Sequence, residues 1–397
     1  MENLKEIACA EIERMSGDLA ILSNEIWKHP ELGMEEIKAH KYLTEFLEER
    51  GLQVERSFKL KTAFLAEYGS ADAGPNVAVI CEYDALPEIG HACGHNLIAE
   101  VGVAAGLGIM AAIKASTKAI GKVTILGTPA EEGCGGKIDL INQGAFDDVD
   151  VAMMAHPFPS NDPTPVMLAR ETLVVTFHGR SSHAAAYPWE GVNALDAAVL
   201  CYQNMACLRQ QIKPTWRIHA IFKKGGTKVN IIPEEAVLEV AVRAPTDAEY
   251  KQLRQKVVAC FEAAATATGC SMEYQTFEKP YSSLVSNEIL SRLYESNLAS
   301  IHKDDGPSFR SGIYGSTDMG NVSRMVPSIH PHFYIGGVAV NHTRDFTTDA
   351  GAERAQRYTL AQAKALAMTA LDLLLKPGLV QKAKAELQET LKREQTQ

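Results

Sequence analysis

The sequence lacks an excess of positive charge. Its 39 lysine and arginine residues are outnumbered by 49 aspartate and glutamate residues, and the formal net charge is -10 at neutral pH. An acidic chain gains no counterion-release free energy from nucleic acid and is not attracted to an anionic membrane. The charge balance therefore argues against a protein that binds nucleic acid or a membrane surface.

Long hydrophobic runs are also missing. The longest apolar run, 101–113, contains three glycines and is shorter than the roughly 18 residues that a membrane span needs. It predicts a buried helix. The N-terminal stretch 1–15 carries charges every few residues and has no apolar segment of the kind found in secretory signals, so we expect a cytoplasmic protein.

Paired cysteine spacings are absent as well. The eight cysteines are scattered and form neither a disulfide framework nor a zinc-ribbon pattern. One cysteine stands out, because "HACGH" at 91–95 places two imidazoles and a thiol within five residues. Gly94 lets the backbone turn tightly between Cys93 and His95, so that both side chains could converge on one metal ion.

The length of 397 residues predicts two domains, since one hydrophobic core rarely serves more than about 250 to 300 residues. Apolar segments without polar alternation, such as "NVAVICEYD" and "KVTILGTP", alternate with helical stretches. The pattern predicts an α/β catalytic domain, residues 1–167 and 281–397, with a mostly parallel central sheet flanked by helices. It begins with two predicted helices, at about 4–27 and 34–51.

Residues 168–280 follow a different pattern. Strand-like and helical segments alternate there in the order β-α-β-β-α-β, which is typical of a ferredoxin-like unit. We therefore expect this segment to form an inserted lid domain.

Potential metal ligands follow successive predicted strands of the catalytic domain, where loops emerge together from one edge of a parallel sheet. A single histidine at a strand end is usually structural, but a chance recurrence of thiol, imidazole and carboxylate groups at several strand ends is rare. The recurrence predicts a metal site among Glu82, Asp84, Cys93, His95, Glu131, Glu132 and His156.

The adjacent residues Glu131 and Glu132 indicate hydrolysis, because one can bind the metal while the other takes a proton from water. A phosphate-binding loop in "EEGCGGK" is a poor alternative, since Glu131 stands where the motif needs glycine and Ile138 where it needs Ser or Thr. Another alternative is a Cys93 nucleophile with His91 or His95 as its base, but that hypothesis gives the glutamate pair and His156 no role.

With these residues identified, the chain resembles the cocatalytic metallopeptidase family that contains aminoacylases, glutamate-releasing carboxypeptidases, and auxin-conjugate and hippurate amidohydrolases. The resemblance covers nearly the whole chain, and within the family it is greatest to the branch of dipeptidases acting on Xaa-Arg and β-alanyl-lysine substrates. The motifs that carry it are "DALPEIGHACGHN", "TPAEEGCGGK", "MAHP", "GRSSHAAAYPWEGVNALDA" and "VNIIPEEAVLEVAVR".

The resemblance implies two zinc ions per subunit, with manganese, cobalt or nickel as alternatives. It implies that Glu131 is the general base and that Asp84 orients a ligand. On chemistry alone His330 and His332 rival His342 as the last ligand, and only the motif position favours His342. The implied metal ligands are Cys93 in a bridging position, His95, Glu132, His156 and His342.

In the lid, the resemblance implies that His183 donates to the developing oxyanion, and that Asn230 and Arg243 hold the substrate's carbonyl and carboxylate. We expect a homodimer, because a small lid with an exposed sheet edge is a ready pairing surface. Other branches carry His-x-Asp where this chain has Glu82-Tyr83-Asp84, which leaves open whether Glu82 binds metal. Cys134 stands where the most similar branch has glycine, and we have no physical explanation for this difference.

The resemblance implies a dipeptidase that releases a C-terminal amino acid, with a basic residue (Lys, Orn or Arg) favoured. The alternatives are an amidohydrolase of the aminoacylase, aminobenzoyl-glutamate or hippurate type, acting on N-acyl amino acids or aryl amides. A catalytically silent binding protein on the same fold is a third hypothesis. Such a protein could lose Glu131, which this chain retains.

Overall fold

The computed structural model describes residues 2–302, 306–310, 312 and 315–396. Two compact units are present. The first takes in the chain up to Val166 and most of the chain from Leu284 onward, and the second consists mainly of Met167–Ser283. The sequence-based boundaries of the inserted domain, 168–280, lie a few residues inside that second segment.

The strands of the described residues, in chain order, are β1 Gln53–Arg56, β2 Phe64–Gly69, β3 Asn76–Cys81, β4 Lys122–Gly127, β5 Val151–Met153, β6 His156–Phe158, β7 Ala169–His178, β8 Arg217–Lys224, β9 Glu235–Ala244, β10 Ser271–Thr276, β11 Ser328–Ile329 and β12 His332–Tyr334. The α-helices are α1 Glu2–Arg14, α2 Ser16–Lys28, α3 Ile37–Glu49, α4 His95–Ala115, α5 Gly136–Asn142, α6 Ala194–Leu208, α7 Asp247–Thr268, α8 Glu288–Ile301, α9 Met319–Ser323, α10 Arg344–Ala350, α11 Gln356–Leu375 and α12 Gly378–Gln395.

The first unit is built on a six-stranded sheet with the order β1-β2-β4-β3-β5-β11. Strands β4, β3, β5 and β11 run parallel, and β1 and β2 extend the sheet as antiparallel strands. All six residues of β3 are buried, as expected for a central strand covered on both faces by helices. The predicted α/β class with a mostly parallel sheet is confirmed.

Helix α4 lies at the core of the first unit, and seventeen of its residues are buried. Its glycines allow close packing on the sheet, since a Cβ at Gly106 would stand 2.3 Å from Ile125 Cδ1 and one at Gly102 2.5 Å from Cys81 Sγ. By length and composition, α4 is the one helix among the described residues that could cross a membrane, but 89% of its most apolar window is buried inside the protein. The prediction of a buried helix is therefore confirmed.

The N-terminal prediction was wrong in one respect. The periodic stretch 4–27 is two helices, α1 and α2, that meet at Met15, rather than one. Met15 has φ -93° and ψ 4°, and its side chain is buried against the core. The apolar periodicity continues across the break because both helices bury a face against the same core.

The second unit is an antiparallel sheet with the order β10-β7-β9-β8, with α6 and α7 in its chain order β7-α6-β8-β9-α7-β10. This is the predicted ferredoxin-like arrangement. Alternate residues of β9 are buried, so one face of the sheet supplies the core and the other is half-exposed. Local signals set both ends of α7. The Thr246 side chain accepts a hydrogen bond from Glu249 N at the start, and Gly269 ends the helix with φ +73°.

Candidate active site

The carboxyl ends of the parallel strands bring the predicted metal ligands of the first unit together. Glu82 directly follows β3, Glu132 follows β4, and His156 follows β5. Cys93 and His95 lie at the amino end of α4, where Gly94 has φ +78°. A Cβ at Gly94 would stand 2.5 Å from Pro157 Cγ, so the tight turn of "HACGH" requires glycine.

Two groups of potential ligands share one thiol. Cys93, His95 and His156 form the first group, and Cys93, Glu132 and His342 form the second; within each group the ligand atoms all lie within 4.8 Å of one another. Cys93 Sγ is 3.4 Å from His156 Nε2, and Glu132 Oε1 is 3.3 Å from His342 Nε2. A thiolate common to both groups would suit a pair of divalent ions, with Cys93 a candidate ligand of each.

Hydrogen bonds prepare the imidazoles for metal binding. His95 Nδ1 is 3.0 Å from Asp84 Oδ1, which leaves Nε2 facing the thiol group. That Nε2 atom is buried, with the Cys93 thiol beside it and Glu82 Oε2 at 3.6 Å. His156 Nδ1 donates to the carbonyl of Pro157 at 2.8 Å, so its Nε2 presents a lone pair toward Cys93.

Asp84 connects two parts of the site, the start of α4 and the loop after β4. One carboxylate oxygen bonds to His95, and the other accepts a hydrogen bond of 2.9 Å from the backbone N–H of Glu132. Burial opposes its ionisation, but the charge and hydrogen bond of His95 hold the pKa of Asp84 below its usual range. Both oxygens of the Asp84 carboxylate are thus engaged by neighbouring groups of the site.

The electrostatic environment of the remaining groups matches hydrolysis better than thiol chemistry. Burial, together with the carboxylates of Glu132 and Glu82, raises the pKa of Glu131, which makes it a stronger base when ionised. Burial and the nearby Glu132 also raise the pKa of Cys93 above its ordinary value, so this thiol is not an activated nucleophile. His91 is bound elsewhere, with Nε2 3.1 Å from the carbonyl of Ile26.

The position of His342 separates it from its rivals. His342 belongs to the group with Cys93 and Glu132, whereas His330 and His332 share a buried group with His156 and fall in no group with Cys93 or Glu132. The backbone N–H of His342 donates to Ala92 O at 2.8 Å, and its φ of +66° is unusual for a non-glycine residue. The geometry favours His342 as the ligand beside Glu132.

Sequence reasoning missed a buried charge cluster beneath the ligands. The ammonium group of Lys137 lies 2.5 Å from Glu82 Oε1 and 2.7 Å from Asp318 Oδ1, and all three residues are at most 1% exposed. Asp318 Oδ2 also accepts a hydrogen bond from the backbone N–H of Lys137 at 2.9 Å. The only sequence signal was a lysine immediately after the Glu131-Glu132 loop, because Asp318 lies 181 residues away.

The three predicted lid residues lie in the second unit. His183 is exposed, and its Nδ1 accepts hydrogen bonds from Ala185 N at 3.3 Å and Ala186 N at 3.1 Å. The neutral ring therefore carries its proton on Nε2, which is available as a donor. Asn230 is also exposed, and its carbonyl accepts a hydrogen bond from Ala184 N at 3.0 Å.

Arg243 lies at the centre of a row of three arginines on the half-exposed sheet face. It is directly opposite Arg170 on β7 and Arg217 on β8, so the three side chains share one face. Arg170 pairs with Glu278 at 2.6 Å. Burial and the charge of Arg170 lower the pKa of Arg243, and the negative charge of Glu278 only partly opposes them.

Comparisons with known proteins agree with this geometry. A model of the peptidase dimerisation domain matches residues 171–268. The Xaa-Arg dipeptidases of Mus musculus and Homo sapiens are 49% and 45% identical, covering 100% of this chain and 94% of each relative.

Among solved structures, the YXEP protein of Bacillus subtilis is described as a dinuclear metal-binding peptidase from the M20 family. It superposes with a TM-score of 0.72 at 20% identity, covering 91% of this chain and 99% of that one. At that identity the likeness shows the fold alone. Full-length identity of 45–49% to curated relatives goes further: the chain belongs to the M20 family of metallopeptidases, together with the Xaa-Arg dipeptidases.

Proposed function

We propose that this protein is a metal-dependent dipeptidase that releases a C-terminal amino acid, with preference for a basic side chain. The observation that carries the proposal is the thiol of Cys93, shared by two ligand groups, with Glu131 at the same strand-end cluster. The 49% identity to an Xaa-Arg dipeptidase supports the substrate class.

Five residues would hold the ions, in the two groups that share Cys93. When bound, divalent ions polarise the amide carbonyl and lower the pKa of water to about 7. Glu131 then takes the proton of the attacking water and returns it to the leaving amine. Asp84 keeps His95 in the tautomer that offers Nε2, and its bond to the Glu132 backbone fixes the Glu131-Glu132 loop.

The lid residues supply recognition in this proposal. The Nε2–H of His183 donates to the developing oxyanion, and Asn230 binds the substrate carbonyl. Arg243 binds the substrate's terminal carboxylate, because its planar guanidinium suits a carboxylate and it has no acidic partner among the described ion pairs.

We also propose zinc as the ion, since thiolate, imidazole and carboxylate ligands together suit it. A homodimer is proposed to form through the edge strand β8, where Ile221 and Phe222 are exposed. An edge strand with exposed apolar side chains can pair with a second copy.

The test is amine release from β-alanyl, N-acetyl and aminobenzoyl conjugates of Lys, Arg, Orn, Glu and Leu. The protein is first stripped with a chelator and then supplied with zinc or manganese. We expect release of Lys, Orn or Arg from the β-alanyl conjugates, lost on chelation and restored by metal.

Each other result has a defined meaning. Metal-restored cleavage of only the acyl or aryl conjugates would replace the proposal with an aminoacylase or amidohydrolase function. Release that is unaffected by chelation would contradict metal dependence. Silence across the whole panel, with metal bound, would favour the binding-protein hypothesis.

A further inference from the structure

A buried carboxylate connects three segments of the first unit. Glu36 directly precedes α3 and is 0% exposed. Its Oε1 accepts a hydrogen bond from the backbone N–H of Ala130 at 2.8 Å, and its Oε2 accepts one from Thr62 Oγ1 at 2.8 Å. Burial of a carboxylate costs free energy, so the position of Glu36 in the core needs a physical explanation.

Ala130 lies in a strained turn immediately before Glu131. Its φ of +60° is uncommon for a residue that has a Cβ, and such a conformation persists only where the surroundings hold it. Its N–H donates to Glu36, and its carbonyl accepts a hydrogen bond from Gly136 N at 3.1 Å. The segment before α3 also packs against this turn, since a Cβ at Gly33 would stand 2.9 Å from the Ala130 Cβ. Glu36 therefore belongs to the contacts that hold the strained turn.

The proposed base Glu131 stands between two backbone N–H groups that donate to buried carboxylates. The N–H of the residue before it, Ala130, donates to Glu36. The N–H of the residue after it, Glu132, donates to Asp84 at 2.9 Å. We propose that Glu36 is a positioning residue, which fixes the turn from which Glu131 takes the proton of water. This inference rests on the proposed hydrolytic function, with Glu131 as the base.

The alternative is a purely structural role, in which Glu36 only ties the start of α3 to Thr62. The experiment separates the two roles by comparing Glu36→Ala with a matched control, Thr62→Val. Glu36→Ala removes both hydrogen bonds, whereas Thr62→Val removes the bond to Oε2 and leaves the one from Ala130. Glu36 and Thr62 are both buried, so both variants should lower the midpoint of chemical denaturation.

Only Glu36→Ala should also slow the reaction. We expect its kcat to fall by roughly tenfold to a hundredfold, the effect of a displaced catalytic group, with KM and zinc stoichiometry close to the wild-type values. Equal losses of kcat in Glu36→Ala and Thr62→Val would overturn the proposal, because Glu36 would then act through stability alone. Glu36→Met is the second variant, in case alanine prevents folding, since it fills the space without an acceptor. Wild-type kcat in Glu36→Met would overturn the proposal.

Glu36→Gln should restore the function, because an amide keeps one oxygen for the N–H of Ala130 and can donate to the hydroxyl of Thr62. Burial raises the pKa of Glu36 to about 7, and either protonation state of the carboxyl group likewise leaves one oxygen for that N–H. We expect Glu36→Gln to turn over at close to the wild-type rate. A loss as large as that of Glu36→Ala would overturn the role of the acceptor.

A double-mutant cycle gives an independent readout. A residue that acts through Glu131 should matter little once the base is gone, so Glu36→Ala should lower kcat little further in a Glu131→Gln chain. Additive losses would overturn the proposal. The inference and the proposed function also fail differently. Near wild-type turnover in Glu131→Gln overturns both, whereas an impaired Glu131→Gln beside a fully active Glu36→Ala overturns only the role of Glu36.

Discussion

The two units place most of their proposed functional groups in different environments. In the first unit His95 is fully buried, Glu131 and Cys93 are each 8% exposed, and His342 is an exposed exception. In the second, His183 and Asn230 are exposed and Arg243 is half-buried. The buried groups form pairs and clusters that fix one another, while the exposed ones present donors outward from a sheet and its loops.

This difference separates chemistry from recognition. Burial weakens competition from water and strengthens electrostatic interactions, which is what a metal-bridging thiol and a carboxylate base require. An exposed donor or guanidinium is ready to meet a substrate that arrives from solvent. Substitutions in the first unit should therefore affect the chemical step, and substitutions in the second should mostly affect substrate or transition-state binding.

The largest expected effect is that of Glu131→Gln in the buried cluster. Removing the base should lower kcat by about a hundredfold to ten-thousandfold, while zinc stoichiometry should stay at the wild-type value because Glu131 is proposed as the base and not as a ligand. Steady-state kinetics on the best substrate, together with metal analysis, checks this. Near wild-type turnover with metal bound would contradict the role of Glu131.

His183→Ala, in the exposed set, should come next. Loss of one oxyanion donor typically lowers kcat by about a hundredfold to thousandfold. KM should change little. If the partner subunit contributes His183 in a homodimer, co-expression of Glu131→Gln and His183→Ala chains should restore part of the activity, as measured on the mixed dimers. A fully active monomer in sedimentation would contradict the dimer.

Arg243→Ala should raise KM by about tenfold to a hundredfold, the effect of one charged hydrogen-bonded contact, with a smaller change in kcat. The matched control is Arg217→Ala in the same row, whose guanidinium already bonds to the carbonyls of Pro214 and Trp216. A substrate with a C-terminal carboxamide should be cleaved equally by wild type and Arg243→Ala. A preserved difference on that substrate would show that Arg243 does not bind the carboxylate.

The smallest expected effect concerns a buried carboxylate outside the metal site. Burial raises the pKa of Glu100 from 4.5 to about 8. Between these two pH values the folded state binds more protons than the unfolded state, so the free energy of unfolding falls as the pH rises. At about 1.4 kcal/mol per pH unit, wild type should lose roughly 1 kcal/mol between pH 6 and 7 through Glu100.

Glu100→Gln should remove this pH slope, because the amide can still accept the hydrogen bond from Gln356. Chemical denaturation at the two pH values measures the free energy of unfolding, and the exposed Glu353→Gln variant is the control. A slope that persists in Glu100→Gln would assign the pH dependence to another group.

The sequence predicted much of the fold because many of its signals are local. The strands and helices of the inserted domain follow alternation and caps such as Thr246 and Gly269. Strands β1 and β2 were not predicted, because β1 is only four residues long and mostly exposed, so its register depends on pairing with β2. The break at Met15 was also missed, since packing rather than a Gly or Pro signal makes it.

The residues of the candidate site also divide into those that local sequence signals predict and those that only the fold brings together. Local spacing was enough to single out Cys93 and His95, and adjacency was enough to single out Glu131 and Glu132. The buried cluster of Glu82, Lys137 and Asp318 was not accessible to such reasoning, because its members are 55 and 181 residues apart.

By itself, then, the sequence determined the α/β class, the inserted ferredoxin-like unit and the residue types that could bind metal. Periodicity and the side chains at strand ends depend on residues that are neighbours in the sequence. Only the tertiary structure decided that His342 rather than His330 stands beside Glu132, and that Lys137 holds one oxygen of Glu82 while the other faces His95. Those choices depend on distances between segments far apart in the chain, and packing of the core sets such distances.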